Sequence, residues 1–127
     1  MRRVLILLCV LFAFSPAMAD IEVGDIVVLR RENNVNVRVN MHNPGPGAAY
    51  SPIAVRLFVR EHDGEEWRLV KEWTNVTKLP VGYRVSRDYF NEAPGDWDPA
   101  FHAPSFQVRA TAVSSAGRVA EFEKAFP

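Results

Sequence analysis

From Val35 the chain alternates between apolar and polar positions without a break: Val35, Val37, Val39 and Met41 fall on one side, Asn36, Arg38, Asn40 and His42 on the other. A period of two with β-branched residues on the apolar side predicts a half-buried β-strand. Asn43-Pro44-Gly45-Pro46-Gly47 ends it, because proline removes a ladder donor and glycine permits turn dihedrals. The alternation returns at Ile53, Val55, Leu57 and Val59, opposite Arg56, Phe58 and Arg60. His62-Asp63-Gly64 predicts a hairpin turn into a strand over Trp67 to Trp73, since Asp-Gly tolerates the positive φ such turns require. Leu79-Pro80-Val81-Gly82 predicts a further turn, into a strand over Tyr83 to Phe90. Later, Phe106, Val108, Ala110 and Ala112 alternate with Gln107, Arg109 and Thr111, and Ser114-Ser115-Ala116-Gly117 turns the chain into a last strand over Arg118 to Phe126. With Ile21 to Leu29 in front, this makes about seven short strands, the pattern of an all-β antiparallel sandwich. No helical apolar period of useful length competes after residue 20, and there is no internal repeat or low-complexity segment.

The N-terminus changes the picture only by removing residues from the fold. Arg2 and Arg3, an apolar run from Val4 to Phe14 and the small-residue triplet Ala17-Met18-Ala19 predict a secretory signal peptide over 1–19, with cleavage before Asp20 and one domain over 20–127. The apolar run is shorter than the roughly 20 residues that span a bilayer, so no membrane insertion is expected. Cys9 follows Leu7-Leu8, where a lipoprotein signal needs a small residue, and is expected to leave with the leader. Removing 19 of the 127 residues leaves 108, enough for one core. With no cysteine left, packing and hydrogen bonds must hold the domain in an oxidising compartment.

Charge excludes one class of function. The whole chain carries 15 basic and 15 acidic residues, and loss of Arg2 and Arg3 leaves 13 against 15, a net charge of −2. That balance argues against nucleic-acid binding and against a polybasic membrane contact.

Three parts of the sequence resemble CARDB-type domains, the adhesion-related immunoglobulin-like modules of bacteria. Val35-Asn36-Val37-Arg38-Val39-Asn40-Met41-His42-Asn43-Pro44-Gly45, with Ile53-Ala54-Val55-Arg56-Leu57-Phe58-Val59, is similar to their opening of strand, Asn-x-Gly turn and strand. Leu79-Pro80-Val81-Gly82 resembles their leucine-proline-glycine turn. Phe106-Gln107-Val108-Arg109-Ala110 and Gly117-Arg118-Val119-Ala120-Glu121 resemble their closing hairpin. The ending Glu123-Lys124-Ala125-Phe126-Pro127 departs from the family's acidic, asparagine-rich terminus, and the stretch from Asn91 to Ser105 is longer than the corresponding loop. The resemblance implies a seven-stranded immunoglobulin-like sandwich used for binding or spacing on exported bacterial proteins.

The loop from Asn91 to Ser105 is the first candidate site, because structureless connections beyond about 12 residues in compact domains are uncommon and often functional. Asp96, Trp97, Asp98, Phe101 and His102 are its candidate binding residues. Trp97 between two carboxylates can present an amphipathic ring to a partner; alternatively Trp97 and Phe101 fold back and cap the open end of the sandwich. Arg56, Arg60 and Arg109 are the second candidate. If the strand of Ile53 pairs with that of Phe106, they share one exposed face and can meet an acidic partner or a glycan carboxylate. Glu121 and Glu123 on the neighbouring strand can pair with them instead.

Chemistry for catalysis or metal binding is not marked. Glu92, Asp96 and Asp98 offer oxygens to calcium but match no EF-hand spacing, and Asp63, Glu65 and Glu66 lie in a tight hairpin. His42, His62 and His102 stand at no metal-ligand spacing. There is no Gly-x-Ser-x-Gly elbow, His-Glu-x-x-His helix or phosphate-cradling loop, so neither catalytic residues nor a cofactor are expected. Asn75-Val76-Thr77 is a glycosylation sequon, with meaning only in a eukaryotic secretory pathway. The residues together predict a non-catalytic module, periplasmic or secreted, that recognises a protein or glycan through an exposed sheet edge and the 91–105 loop. An accessory or assembly subunit of a cell-envelope complex is the alternative, and a small metal-dependent hydrolase ranks behind both.

Overall fold

The computed structural model describes residues 21–47, 53–76, 79–114 and 119–127. The leader expected over 1–19 lies outside the described residues, as do Thr77 of the sequon and most of the turn expected at Ser114 to Gly117. Seven strands follow in chain order: β1 (Glu22–Arg30), β2 (Val35–His42), β3 (Ile53–Arg60), β4 (Arg68–Val76), β5 (Arg84–Asn91), β6 (Phe106–Val113) and β7 (Val119–Phe126). They form two antiparallel sheets, one of order β1-β2-β5 and one of order β4-β3-β6-β7. The chain folds as an immunoglobulin-like β-sandwich.

The alternation read from the sequence becomes the division between core and surface. Val35, Val37, Val39 and Met41 of β2, Ile53, Val55, Leu57 and Val59 of β3, and Phe106, Val108, Ala110 and Ala112 of β6 are all buried in one cluster. Their polar neighbours along each strand face outward. β3 and β6 pair in register, with Leu57 opposite Ala110 and Val59 opposite Val108. Removing apolar surface from water at roughly 25 cal/mol per Å² is the driving force that fixes this register, because a slip of one residue would turn every valine outward.

Two crossings between the sheets are tied together at one end of the sandwich by a buried asparagine. The chain leaves the smaller sheet after His42 and returns to it before Arg84. Asn43, fully buried, sits at the first crossing. Its side-chain Nδ2 donates to the carbonyls of Gly47 and Leu79, both at 2.8 Å, and its Oδ1 accepts from the Gly45 N–H at 2.8 Å. Its own N–H donates to the Tyr83 carbonyl at 3.1 Å, and its carbonyl accepts from the Gly82 N–H at 2.7 Å. Each donor and acceptor type on this residue is used, which is what burial of an amide requires. Gly45 and Gly82 hold φ of 100° and 83°, the left-handed region that an L side chain rarely adopts. The Asn-x-Gly and Leu-Pro-x-Gly signatures are therefore two halves of one hydrogen-bonded knot.

The sheet edges are guarded. Lys124 of β7 lies opposite buried Val108, pointing between the sheets, and its Nζ donates to the Ile26 carbonyl of β1 at 2.8 Å. Arg87 of β5 lies opposite buried Val39, again on the inner side of an edge strand. β1 breaks register at Gly24, and β4 breaks register twice against β3. Inward charges and bulges on edge strands oppose pairing with another chain.

Replacement of Asn43 with alanine leaves two carbonyls and the Gly45 N–H without their partner in a site closed to water. Unfolding in urea should show a loss of about 2–4 kcal/mol, and a thermal midpoint lower by roughly 10 °C or more. A drop of only a degree or two would show that the knot does not hold the crossings.

Candidate functional site

The loop between β5 and β6 carries two short 3-10 turns, Pro94–Asp96 and Pro99–His102, where irregular chain was expected. Proline stands first in each, a position where its missing N–H costs nothing and its fixed φ is already helical. Asp98 caps the second turn, its carboxylate accepting from the Ala100 N–H at 2.9 Å. The same carboxylate takes both arms of the Arg68 guanidinium, Nε at 2.9 Å and Nη2 at 2.8 Å, so it fastens the loop to the first residue of β4. That hydrogen-bonded pairing with Arg68 lowers the Asp98 pKa below its ordinary value of 3.8; the Ala100 N–H acts in the same direction, and burial opposes both.

Trp97 and Phe101 belong to the core. Trp97 is 7% exposed and Phe101 is not exposed at all. The Trp97 Nε1–H donates to the Asn91 carbonyl at 3.1 Å, satisfying the one polar atom of the ring. Phe101 stacks on Tyr89 of β5 with centroids 6.1 Å apart and meets Phe106 of β6 edge-on at 5.2 Å. Phe106 in turn stacks on Phe126 of β7 at 4.9 Å. An unbroken aromatic row thus crosses from one sheet to the other. Arg30, the last residue of β1, lies over Phe106 and Phe126 and donates to the carbonyls of Phe101 and Ala103. These rings cap the sandwich, the second of the two arrangements the sequence left open.

What the loop shows to solvent is narrower. Asp96 is exposed. The His102 ring lies against Trp97 at 4.8 Å, and its Nε2 is 2.8 Å from the Pro94 carbonyl. Beside them, Leu69, Val70, Tyr89, Asp96, Trp97 and Asp98 line a groove of about 240 Å³ that runs between β4 and β5. Leu69 is 54% exposed there, a large apolar side chain at the mouth of the groove.

The arginines of the larger sheet do share one outer face, as the pairing of β3 with β6 requires. Arg109 hydrogen-bonds Glu121, and its Nε lies 3.8 Å from Glu123. Arg56 pairs with Glu72 of β4 rather than with β7. Arg60 donates to Gln107 at 2.6 Å and lies over the Trp67 ring at 4.2 Å, with Arg109 at 5.9 Å from the same ring. Arg56 and Arg109 are therefore matched by carboxylates of the flanking strands, while Arg60 pairs with Asp63 in the turn between β3 and β4. Trp67, placed only in a strand by its sequence context, is the aromatic residue these guanidinium groups share.

Among the described residues, no group of three or more His, Cys, Asp or Glu side chains is placed to hold a metal ion. Asp98 is committed to Arg68 and Ala100, which separates it from Asp96 and Glu92 as a ligand set. No described helix is long and apolar enough to cross a membrane.

Two substitutions test this loop. Trp97→Ala should cost about 3–5 kcal/mol in urea unfolding, the range for a large buried aromatic; a cost below about 1 kcal/mol would mean the ring is not part of the core. Asp98→Asn keeps the cap and loses the ion pair. Because the folded pKa of Asp98 is depressed, its contribution is complete above the unfolded value and disappears as pH falls through the folded one. The melting temperatures of wild type and Asp98→Asn should therefore differ at neutral pH and converge in acid below the ordinary carboxylate range. A difference that persists unchanged in acid contradicts the ion pair's role.

No protein-family model matches the sequence, and no curated protein sequence matches it. Solved structures do match. The CARDB domain of a Pyrococcus furiosus protein, solved in complex with di-metal ions, is 19% identical with a TM-score of 0.54, covering 84% of this chain and 92% of that one. The archaellum periplasmic stator protein FlaG from Sulfolobus acidocaldarius is 10% identical with a TM-score of 0.51, covering 84% of this chain and 100% of that one. A superoxide reductase from Nanoarchaeum equitans is 9% identical with a TM-score of 0.54, covering 83% and 92%. Enzymes and non-enzymes share this architecture, and at such identities the likeness extends to the fold alone. The chain has a CARDB-type β-sandwich fold.

Proposed function

We propose that the protein is an exported, non-catalytic binding module of the cell envelope that recognises a protein or glycan partner through the end of the sandwich formed by the 91–105 loop. The observation that carries the reading is the construction of that loop. Trp97 and Phe101 anchor it in the core, and Arg68 holds it through Asp98. Asp96 and the exposed Leu69 then stand beside a preformed groove. A surface fixed before binding loses little conformational entropy on docking, which is how a rigid scaffold with one specialised loop gains affinity. The guarded edges favour the loop over strand addition as the means of recognition, since Lys124, Arg87 and the bulges oppose a new ladder. The leader features of residues 1–19 support the export in this reading.

A second reading, an accessory or assembly subunit, is favoured by the outer face of the larger sheet. Arg60, Arg109 and Trp67 form a guanidinium and indole surface there, and arginine and aromatic residues are enriched in the cores of protein interfaces. The similarity to a periplasmic stator protein points the same way.

Capture of partners from the envelope extract of its own source separates the two. The double variant Leu69→Asp/Asp96→Lys changes only exposed side chains and should melt within a few degrees of wild type. Loss of a stoichiometric partner with this variant supports the loop. Retention of that partner with the loop variant, and its loss with Trp67→Ala, moves recognition to the larger sheet. Capture of nothing by the wild-type protein contradicts both.

A further inference from the structure

A larger groove than the one at the loop lies at the opposite end of the molecule, on the outer face of the smaller sheet, with a volume of about 390 Å³. That is within the range of sites for small ligands. The register of β1, β2 and β5 places two rows of polar residues across it, Asp25, Asn40 and Ser86 in one and Glu22, His42 and Arg84 in the other. Gly24 lies between the rows at the bulge of β1. A Cβ there would come within 3.5 Å of the His42 Nδ1, so the missing side chain deepens the groove.

We propose that this groove is a binding site for a carboxylated sugar unit, of the uronic acid class, within a glycan. Charge gives the first argument. Glu22 faces His42 at 3.4 Å, and Asp25 faces Lys124 at 3.5 Å, whereas Arg84 makes no hydrogen bond or ion pair among the described residues. The planar fork of a free guanidinium matches a carboxylate. The two carboxylates at the other side of the groove disfavour a polyanion such as a phosphate, and leave a ligand with one negative group at one end.

Hydrogen-bonding capacity gives the second. Ser86 donates to the Asn40 Oδ1 at 2.6 Å, which leaves the Asn40 amide N–H groups as donors and the serine oxygen as an acceptor. Asp25 adds a carboxylate that accepts. A ligand that both donates and accepts at fixed, closely spaced positions satisfies this set, and ring hydroxyls do so. An extended acidic peptide is the weaker fit, because the neighbouring edges of β1 and β5 carry a bulge and an inward arginine that oppose strand pairing.

Preorganisation gives the third. His42 and Arg84 flank the buried knot directly: Asn43 follows His42, and Tyr83, whose carbonyl accepts the Asn43 N–H, precedes Arg84. The knot that holds the two crossings also fixes the backbone of the groove's outer row.

The test is an NMR titration of the isotope-labelled protein with aldotetraouronic acid, a xylotriose bearing a single glucuronic acid unit, with neutral xylotetraose and an acidic hexapeptide of alternating Glu and Ser as comparisons. The acid should shift the amides of Gly24, Asn40, His42 and Arg84, bind about tenfold or more tightly than the neutral sugar, and lose about tenfold or more with Arg84→Ala. Gly24→Val, which fills the dip, should weaken it similarly. Absence of shifts at these residues at millimolar acid overturns the proposal, as does equal binding of the neutral sugar or tighter binding of the peptide. The loop variant Leu69→Asp/Asp96→Lys should bind the acid as wild type does, so that the groove and the loop stand or fall separately.

Discussion

One buried amide decides the geometry of this sandwich. Two sheets stacked by hydrophobic burial are held face to face, but burial is not directional and does not specify where the chain crosses between them. Asn43 supplies that direction. It joins the crossing that leaves β2 to the crossing that enters β5, bonding Gly45 and Gly47 on one and Leu79, Gly82 and Tyr83 on the other. An unmet polar group at this depth would cost more than the bonds themselves contribute, so the arrangement is tolerated only when complete. No cysteine follows Cys9 in the sequence, so no disulfide ties these strands, and such a knot does part of the work that a cross-link does in other small domains.

The far end of the molecule solves the same problem with aromatic rings. Tyr89, Phe101, Phe106 and Phe126 run from β5 across the loop to β7, and Arg30 closes the row from β1. The loop is therefore ordered by its own interior side chains, and the residues it leaves at the surface are displayed on a stiff support. Both ends of the fold are closed by contacts between distant parts of the chain, one polar and one apolar. Each closure also sets a surface feature, the outer row of the polar groove at one end and the Leu69 and Asp96 groove at the other.

Much of this was legible in the sequence, for reasons that can be named. The strands were legible because residues such as Val35 to His42 and Ile53 to Arg60 obey a period of two, and burial enforces that period. The pairing of β3 with β6, and hence the common face of Arg56, Arg60 and Arg109, followed from the sandwich order. Asn43 and Leu79-Pro80-Val81-Gly82 were each visible as turn signals, but their bonding spans 36 residues and no local pattern expresses it. The fate of Trp97 was open because a loop aromatic is read by where the loop folds, not by its neighbours. Two signals were present and unused: Pro94 and Pro99 as first residues of short turns, with Asp98 as a cap, and Lys124 between Phe122 and Phe126 on the inward side of its strand. The polar groove could not be read, since the bulge at Gly24 shifts the partners of β2 by one residue and only the folded register brings Asp25 beside Asn40.

Native-state hydrogen exchange of the Gly45 and Gly82 amides tests the central claim most directly. Their N–H groups donate to the side chain and the carbonyl of Asn43. If the knot holds the sandwich together, both should exchange only through global unfolding, with the same opening free energy as the amides of Val37, Leu57 and Val108. Exchange of either glycine through local fluctuation, at a free energy well below that of the core strands, would show that the crossings open while the sheets stay packed, and would contradict the account.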